Sequence, residues 1–395
     1  MREMARNVDP RCSWGRAMKE LKVLSIFGTR PEAIKMAPVV RELQRRANVL
    51  SQVCVTGQHR EMLDQVLNLF NIVPDYDLNV MRADQTPTRI ITQVLLELDP
   101  LLRDIRPDWI LVQGDATTVM ASAIAARHLK IKIGHVEAGL RTGDMQNPFP
   151  EEMNRVVTDA ISDLHFAPTS QSRDNLLRAG IAEHSITVTG NTVIDALLDV
   201  ANRPWNPEPN HPLYKWYDPN SRLALPKFIL ITAHRRESFG KPLLNICAGL
   251  REIARRGQSV LHLIYPVHLN PNVHEPVKHL LGGVPNITLT PPLDYLSLVH
   301  LMKHSTLILT DSGGIQEEAP SLGVPVIVLR DVTERPEGIQ AGVVKMVGTD
   351  PEKIVGETFR LLEDPRAYQA MAKAVNPYGD GHAARRIADK LLESA

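Results

Sequence analysis

The sequence predicts an α/β protein built from two domains, each a parallel sheet covered by helices. Three observations carry that prediction. Short runs rich in Val, Ile and Leu alternate with longer amphipathic stretches, the signature of buried parallel strands joined by crossover helices. The runs fall into two sets separated by ANRPWNPEPNHPLYKWYDPNSRLALPK, so dense in Pro, Asn and Asp that neither strand nor helix periodicity is sustained. A length of 395 residues suits two cores better than one.

Taken in order, the first set offers the strands LKVLSIF, VLSQVCVT, WILVQ, IKIGHV, LHFA and ITVT. The second offers KFILITA, SVLHLIY, NITLT, TLILT, VPVIVL and VVKMV. Both sets open alike, with an apolar strand running into a basic loop, IFGTRPE in one and ITAHRRE in the other. Ligands of open parallel sheets sit at the carboxyl ends of the strands. Two Rossmann-like sheets facing a central cleft would therefore bring both basic loops to it. The expected boundaries are a polar, disordered extension over 1–20, a first domain over 21–202, a connection over 203–226 and a second domain over 227–377. A C-terminal helix over 378–395 is expected to pack back on the first domain.

Composition narrows the partner. Lys plus Arg and Asp plus Glu both total 45, which leaves no excess charge to drive binding to a nucleic-acid backbone or an anionic membrane. A small molecule fits better. Cys12, Cys54 and Cys247 are far apart and show neither a CxxC nor a Cys/His ligand spacing, so a reducing, cytoplasmic compartment and no metal are expected. No apolar run approaches the roughly 20 residues of a membrane helix, and the polar first 20 residues lack the apolar core of a signal peptide.

Several segments carry chemistry. In Gly28-Thr29-Arg30-Pro31-Glu32-Ala33-Ile34-Lys35, Pro31 suits the first turn of a helix, which places Arg30 and Lys35 near a helix N-terminus whose free amides favour an anion. A well-capped helix with two solvated cations explains the same residues. After TLILT, Asp311-Ser312-Gly313-Gly314 lets backbone amides approach a phosphate, and Glu317 or Glu318 could take ribose hydroxyls; a plain tight turn is the alternative. Arg335 lies beyond another strand end, where a surface ion pair would also account for it. His234 follows KFILITA, and His268 lies in YPVHLNP, where it could equally be packing a loop. Asp115 lies two residues beyond WILVQ and Glu137 just beyond IKIGHV, so adjacent parallel strands would put both at one sheet edge. Glu151 opens a helix after Pro148-Phe149-Pro150, where the helix dipole alone welcomes a carboxylate. If the three acids converge, like-charge repulsion should hold at least one proton near neutral pH, shared among coupled groups.

The motifs GTRPEAIKMAP, GQHREMLDQVL, QGDATT, HVEAGLRTGD, PFPEEMNR, TGNTVIDAL, AHRRESFG, YPVHLNPNV, LTDSGGIQEEAPSLGVPV, RDVTERPEG and NPYGDG, running in order from about residue 21 to the C-terminus, resemble the non-hydrolysing bacterial UDP-N-acetylglucosamine 2-epimerases. The resemblance implies a GT-B fold, a homodimer and the reversible interconversion of UDP-N-acetylglucosamine and UDP-N-acetylmannosamine, which supplies envelope polysaccharide. It places the catalytic acids on Asp115, Glu137 and Glu151 and the catalytic histidine on His234. It places the nucleotide contacts on Arg30, Lys35, Ser312, Gly313, Gly314, Glu318 and Arg335. Gln58 and His59 match part of a pocket in which bacterial members bind a second substrate molecule as activator. The sequence departs from the family at Gln113, where some relatives have His, at Leu293, where some have Gln near the uracil, and in the activator pocket at Glu61 and Asp84, where one branch has Gln and Arg. The implied reaction calls for neither a metal nor a redox cofactor.

Overall fold

The computed structural model describes residues 20–57, 60–80, 85–214, 227–258 and 260–394. The strands of the first half are β1 (Leu21–Phe27), β2 (Val49–Val55), β3 (Tyr76–Asp77), β4 (Trp109–Gln113), β5 (Lys132–Val136), β6 (Leu164–Ala167) and β7 (Ile186–Val188). Those of the second are β8 (Lys227–Thr232), β9 (Leu261–Pro266), β10 (Ile287–Thr290), β11 (Leu307–Thr310), β12 (Val326–Val328) and β13 (Val344–Met346). The first seven form one sheet in the order β3-β2-β1-β4-β5-β6-β7, and the other six form a second in the order β10-β9-β8-β11-β12-β13. All pairings among these strands are parallel.

Each apolar run read from the sequence becomes a strand; the central ones are buried on both faces, while the edge strands β7, β10 and β13 are only partly covered. Every residue of β4 and β11 is buried, and an Ile or Leu side chain so placed contributes about 1.5–3 kcal/mol relative to exposure. The two-residue β3 has no apolar run to announce it; it forms by pairing Cys54 with Tyr76 at the sheet edge.

Strand order reverses between β1 and β4 in one sheet and between β8 and β11 in the other. Loops leaving such a switch point diverge and open a crevice. Gly28 to Arg30 and Gly114-Asp115 leave the first switch point, while His234 and Asp311-Ser312 leave the second. Register adds a second alignment: Gln113 pairs with Val136 and Gly114 N–H donates to Val136 O at 3.0 Å, so Asp115 and Glu137 emerge side by side.

The halves also touch. Arg30 Nη2 donates to Leu293 O at 3.3 Å, and Thr169 Oγ1 donates to Glu337 Oε1 at 3.0 Å. Residues 203–214 of the Pro-rich connection are not a plain tether. Trp205 and Leu213 are buried, and Trp205 Nε1 donates to Ser297 Oγ at 3.1 Å. The helix Ala383–Glu393 lies on the first half, where the backbone amides of Ala383 and Ala384 donate to Asp195. Residues 1–19 lie outside the described residues, as do Gln58 and His59.

Candidate active site

The helix Arg30–Gln44 starts on a capping box. Thr29 Oγ1 accepts from Glu32 N–H at 3.3 Å, while Glu32 Oε2 accepts from Gly28 N–H at 2.7 Å and Thr29 N–H at 3.2 Å. The chain's own groups thus take up the amides of Gly28, Thr29 and Glu32 at this helix end. What this end offers a ligand is its two cations. Burial lowers the Arg30 pKa. Lys35 Nζ reaches Glu137 Oε1 at 2.5 Å.

Glu137 is the most heavily tethered of the predicted acids. Its backbone takes φ 66°, a left-handed conformation uncommon outside glycine. Oε2 accepts from Gln113 Nε2, and Oε1 accepts from Asn191 Nδ2 at 3.0 Å as well as from Lys35. Burial pushes the Glu137 carboxyl up, but Lys35, Arg335 and Asn191 outweigh it and hold the group below the usual carboxylate range. The proton expected from like-charge repulsion is therefore not held here, since cations and amides surround this acid.

Asp115 pairs instead with Arg155 Nη2 at 2.5 Å, and its carbonyl accepts from Asn154 Nδ2 at 2.8 Å. Both partners come from the helix Glu151–Ile161. Glu151 sits in its first turn, one turn ahead of Arg155 on the same face. The same helix grips both acid-bearing loops. Glu152 accepts from Thr142 N–H and Gly143 N–H at 3.1 Å each, and Asp159 takes His135 Nδ1 and Arg141 Nη2 at 2.6 Å each. The other ring nitrogen of His135 donates to Gly114 O at 2.8 Å. Because a carbonyl can only accept, and a carboxylate faces the opposite nitrogen, the pair retains a proton. Burial opposes the charge on His135, yet Asp159 raises its pKa overall.

In the second half Asp311 is wholly buried and organises the loop after β8. Its Oδ2 accepts from His234 N–H and Arg235 N–H at 2.8 Å each and from Ser238 Oγ at 3.0 Å. The His234 ring stacks on His268 with centroids 5.3 Å apart, so the second histidine belongs to the site as well. Burial lowers the His234 pKa and favours the neutral imidazole.

Ser312 is the N-cap of the short helix Gly313–Glu318. The Arg335 guanidinium lies over Gly313, where an added Cβ would meet Arg335 Cζ at 2.7 Å. Arg335 is no surface pair: Nε reaches the buried Glu317 Oε1 at 2.6 Å, and Nη1 reaches Glu334 Oε2 at 3.0 Å. Of the two acids considered for ribose, Glu317 is thus committed to Arg335. Glu318 accepts from Tyr295 Oη at 2.8 Å, and burial pushes its carboxyl up to about 7.

The structure thus brings Lys35, Glu137, Glu317 and Arg335 into one contact chain, with Asn191 at its centre. Asp115 joins through the Glu151 helix, and His234 lies at the facing switch point. The Glu151 carboxylate enters none of these hydrogen bonds among the described residues. Asn191 and Arg155 were missed by sequence reasoning. Arg155 had a signal, standing four residues after Glu151 in PFPEEMNR; Asn191 in TGNTVIDAL reads only as a helix cap.

Two parallel α/β sheets meeting at their carboxyl ends, with acids on one side and a histidine, an arginine and a Ser-Gly-Gly turn on the other, define a GT-B protein with an enzyme-like site. The model of the UDP-N-acetylglucosamine 2-epimerase family matches residues 41–392. The chain is 54% identical over 375 residues to the UDP-N-acetylglucosamine 2-epimerase of Salmonella typhimurium, spanning 94% of this chain and 98% of that protein. It is 55% identical over 375 residues to that of Yersinia pestis, with the same coverage of both. The crystal structure of UDP-GlcNAc 2-epimerase from Neisseria meningitidis bound to UDP-GlcNAc superposes with a TM-score of 0.85 at 48% identity, covering 94% of this chain and 100% of that one. This chain belongs to the UDP-N-acetylglucosamine 2-epimerase family.

Proposed function

We propose that the protein interconverts UDP-N-acetylglucosamine and UDP-N-acetylmannosamine by eliminating and re-adding UDP. The observation that carries this is the opposition of Asp115 and Glu137 on the first sheet to Arg335, His234 and the Ser312–Gly314 turn on the second. The hydrogen at C2 of the sugar has no adjacent carbonyl, so its direct removal as a proton is poorly stabilised. Breaking the bond from C1 to the diphosphate oxygen first places positive charge on the sugar and negative charge on UDP. The carboxylates stabilise the former. One of Asp115, Glu137 and Glu151 accepts the C2 proton, and the C–H electron pair becomes the C1=C2 bond of a 2-acetamidoglucal. Lys35, Arg335, His234 and the Ser312–Gly314 amides hold the departing diphosphate, with Arg30 and Glu318 on the nucleoside. A proton returned to the opposite face, followed by attack of UDP oxygen at C1, gives the epimer.

UDP-N-acetylglucosamine also acts as activator, a reading supported by the match of Gln58 and His59 to the family's activator motif. The enzyme works as a cytoplasmic homodimer and supplies precursors for envelope polysaccharide. Proton NMR of UDP-N-acetylglucosamine in deuterium oxide tests the reaction. Deuterium at C2 and a manno product without any acceptor are expected; transfer to an acceptor without C2 exchange would replace this reading by a glycosyltransferase.

A further inference from the structure

Asn191 lies in the connection between β7 and the helix Thr192–Ala201, and its two side-chain ends do different things. Oδ1 accepts from Val193 N–H at 3.1 Å and caps the helix. With the oxygen so committed, the nitrogen faces the opposite way, and its two N–H groups go to Glu137 Oε1 at 3.0 Å and Glu317 Oε2 at 2.9 Å. A flipped amide would set its oxygen against two carboxylates and its NH2 against an N–H, so the orientation is determined. All three residues are buried, at 3%, 9% and 2% exposure.

The two acids come from different halves, and each has its own cation: Lys35 on Glu137 at 2.5 Å and Arg335 on Glu317 at 2.6 Å. One amide thus joins two ion pairs into the sequence Lys35–Glu137–Asn191–Glu317–Arg335. The groups facing Glu137 are Lys35 from the helix Arg30–Gln44, Gln113 from β4, and Asn191, with Glu317 and Arg335 beyond it. Among these, Glu317 is the like charge, and Asn191 stands between it and Glu137. Like charge disfavours the ionised form of a buried carboxylate, and a hydrogen-bond donor shared by the two favours it.

We propose that Asn191 is a positioning residue for the epimerisation, keeping Glu137 ionised in the presence of Glu317 and tying this acid to the arginine that holds the diphosphate. The inference rests on the roles proposed above for Glu137 and Arg335. A residue that merely caps a helix predicts something different, and the two roles separate cleanly by substitution. Asp and Ser both cap helices well, but neither can donate to two carboxylates at once.

The test compares wild type with Asn191→Asp and Asn191→Ser, following the C2 epimerisation of UDP-N-acetylglucosamine by proton NMR from about pH 5 to about pH 9, with thermal melting alongside. The acid limb of kcat/KM is expected to move up by about one pH unit or more in the Asp variant and less in the Ser variant. On that limb each unit costs about tenfold in rate. Adding Glu317→Gln to Asn191→Asp removes the like charge and should move the limb back toward wild type; this rescue also reads out if one single variant folds poorly. Wild-type profiles in both well-folded single variants, or a shifted limb that Glu317→Gln leaves unmoved, would reduce Asn191 to a helix cap. Failure of the wild type itself to epimerise would overturn the reaction, and this inference with it.

Discussion

At the scale of single residues, the site is a set of charges whose partners decide their protonation. Asp115 faces Arg155 and Glu137 faces Lys35, so both are poised to accept a proton or to stabilise a developing cation. Asp115→Asn and Glu137→Gln preserve shape and remove that capacity, and each is expected to lower kcat by about 10²–10⁴-fold while UDP still binds, measured by the NMR assay and by calorimetry. Near-normal turnover in either would remove that residue from the chemistry. Glu318 behaves in the opposite sense. Its folded pKa of about 7 lies above the unfolded value, so the folded protein holds this proton more tightly. The stabilisation from the neutral form is complete at low pH and is lost as the pH rises from about 4 to about 7. Glu318→Gln never ionises. It should gain on wild type by on the order of 3 kcal/mol at most between about pH 5 and pH 8, read from urea midpoints; a difference that does not change with pH would contradict the assignment.

At the scale of elements, the helix Glu151–Ile161 has an unusual buried face. Glu152, Arg155 and Asp159 are spaced three and four residues apart and point toward the loops after β4 and β5 rather than to water. Glu152 satisfies two loop amides and pairs with Arg155 at 3.3 Å. Glu152→Ala leaves those donors without their acceptor, and a loss of about 1–3 kcal/mol in chemical denaturation is expected. Because Arg155 orients Asp115, kcat should fall in the same variant while the midpoint of UDP binding changes little. The sequence showed this element only as a helix opening on Glu151. The periodicity of its carboxylates and arginine reads as a solvated stripe until the β4 and β5 loops are seen to cover it.

At the scale of the whole molecule, the halves are joined by more than the connecting chain. The Pro-rich segment packs Trp205 against the helix Tyr295–His304, and the helix Ala383–Glu393 returns from the end of the second half to bury Ile387, Ala388 and Leu391 on the first. Deleting residues 383–395 uncovers the surface beneath these side chains and takes from Asp195 its two backbone donors. A loss of roughly 3–6 kcal/mol is expected from the Ile and Leu alone, seen as a lower denaturant midpoint. An unchanged midpoint would mean that this helix contributes nothing to the core of the first half.

The division between what was legible and what was not follows from the range of the forces involved. The alternation of apolar runs with amphipathic stretches determined twelve of the thirteen strands among the described residues, because burial on both faces leaves its mark on each segment separately. The motifs likewise marked residues that lie at the strand ends, among them Asp115, Glu137, His234 and Ser312, but not Asn191 or Arg155. The edge strand β3 and the partners of the charges were decided by tertiary structure alone, whereas the contacts of Glu32 at the first helix N-terminus are local and follow the Thr-x-x-Glu spacing. Lys35 reads as a free cation in GTRPEAIK and turns out to hold Glu137, 102 positions away; Asn191 reads as a cap and turns out to bridge acids of both halves. Hydrophobic burial is written locally in sequence, whereas the pairing of buried charges depends on which chain segments the fold brings within a few ångströms of one another.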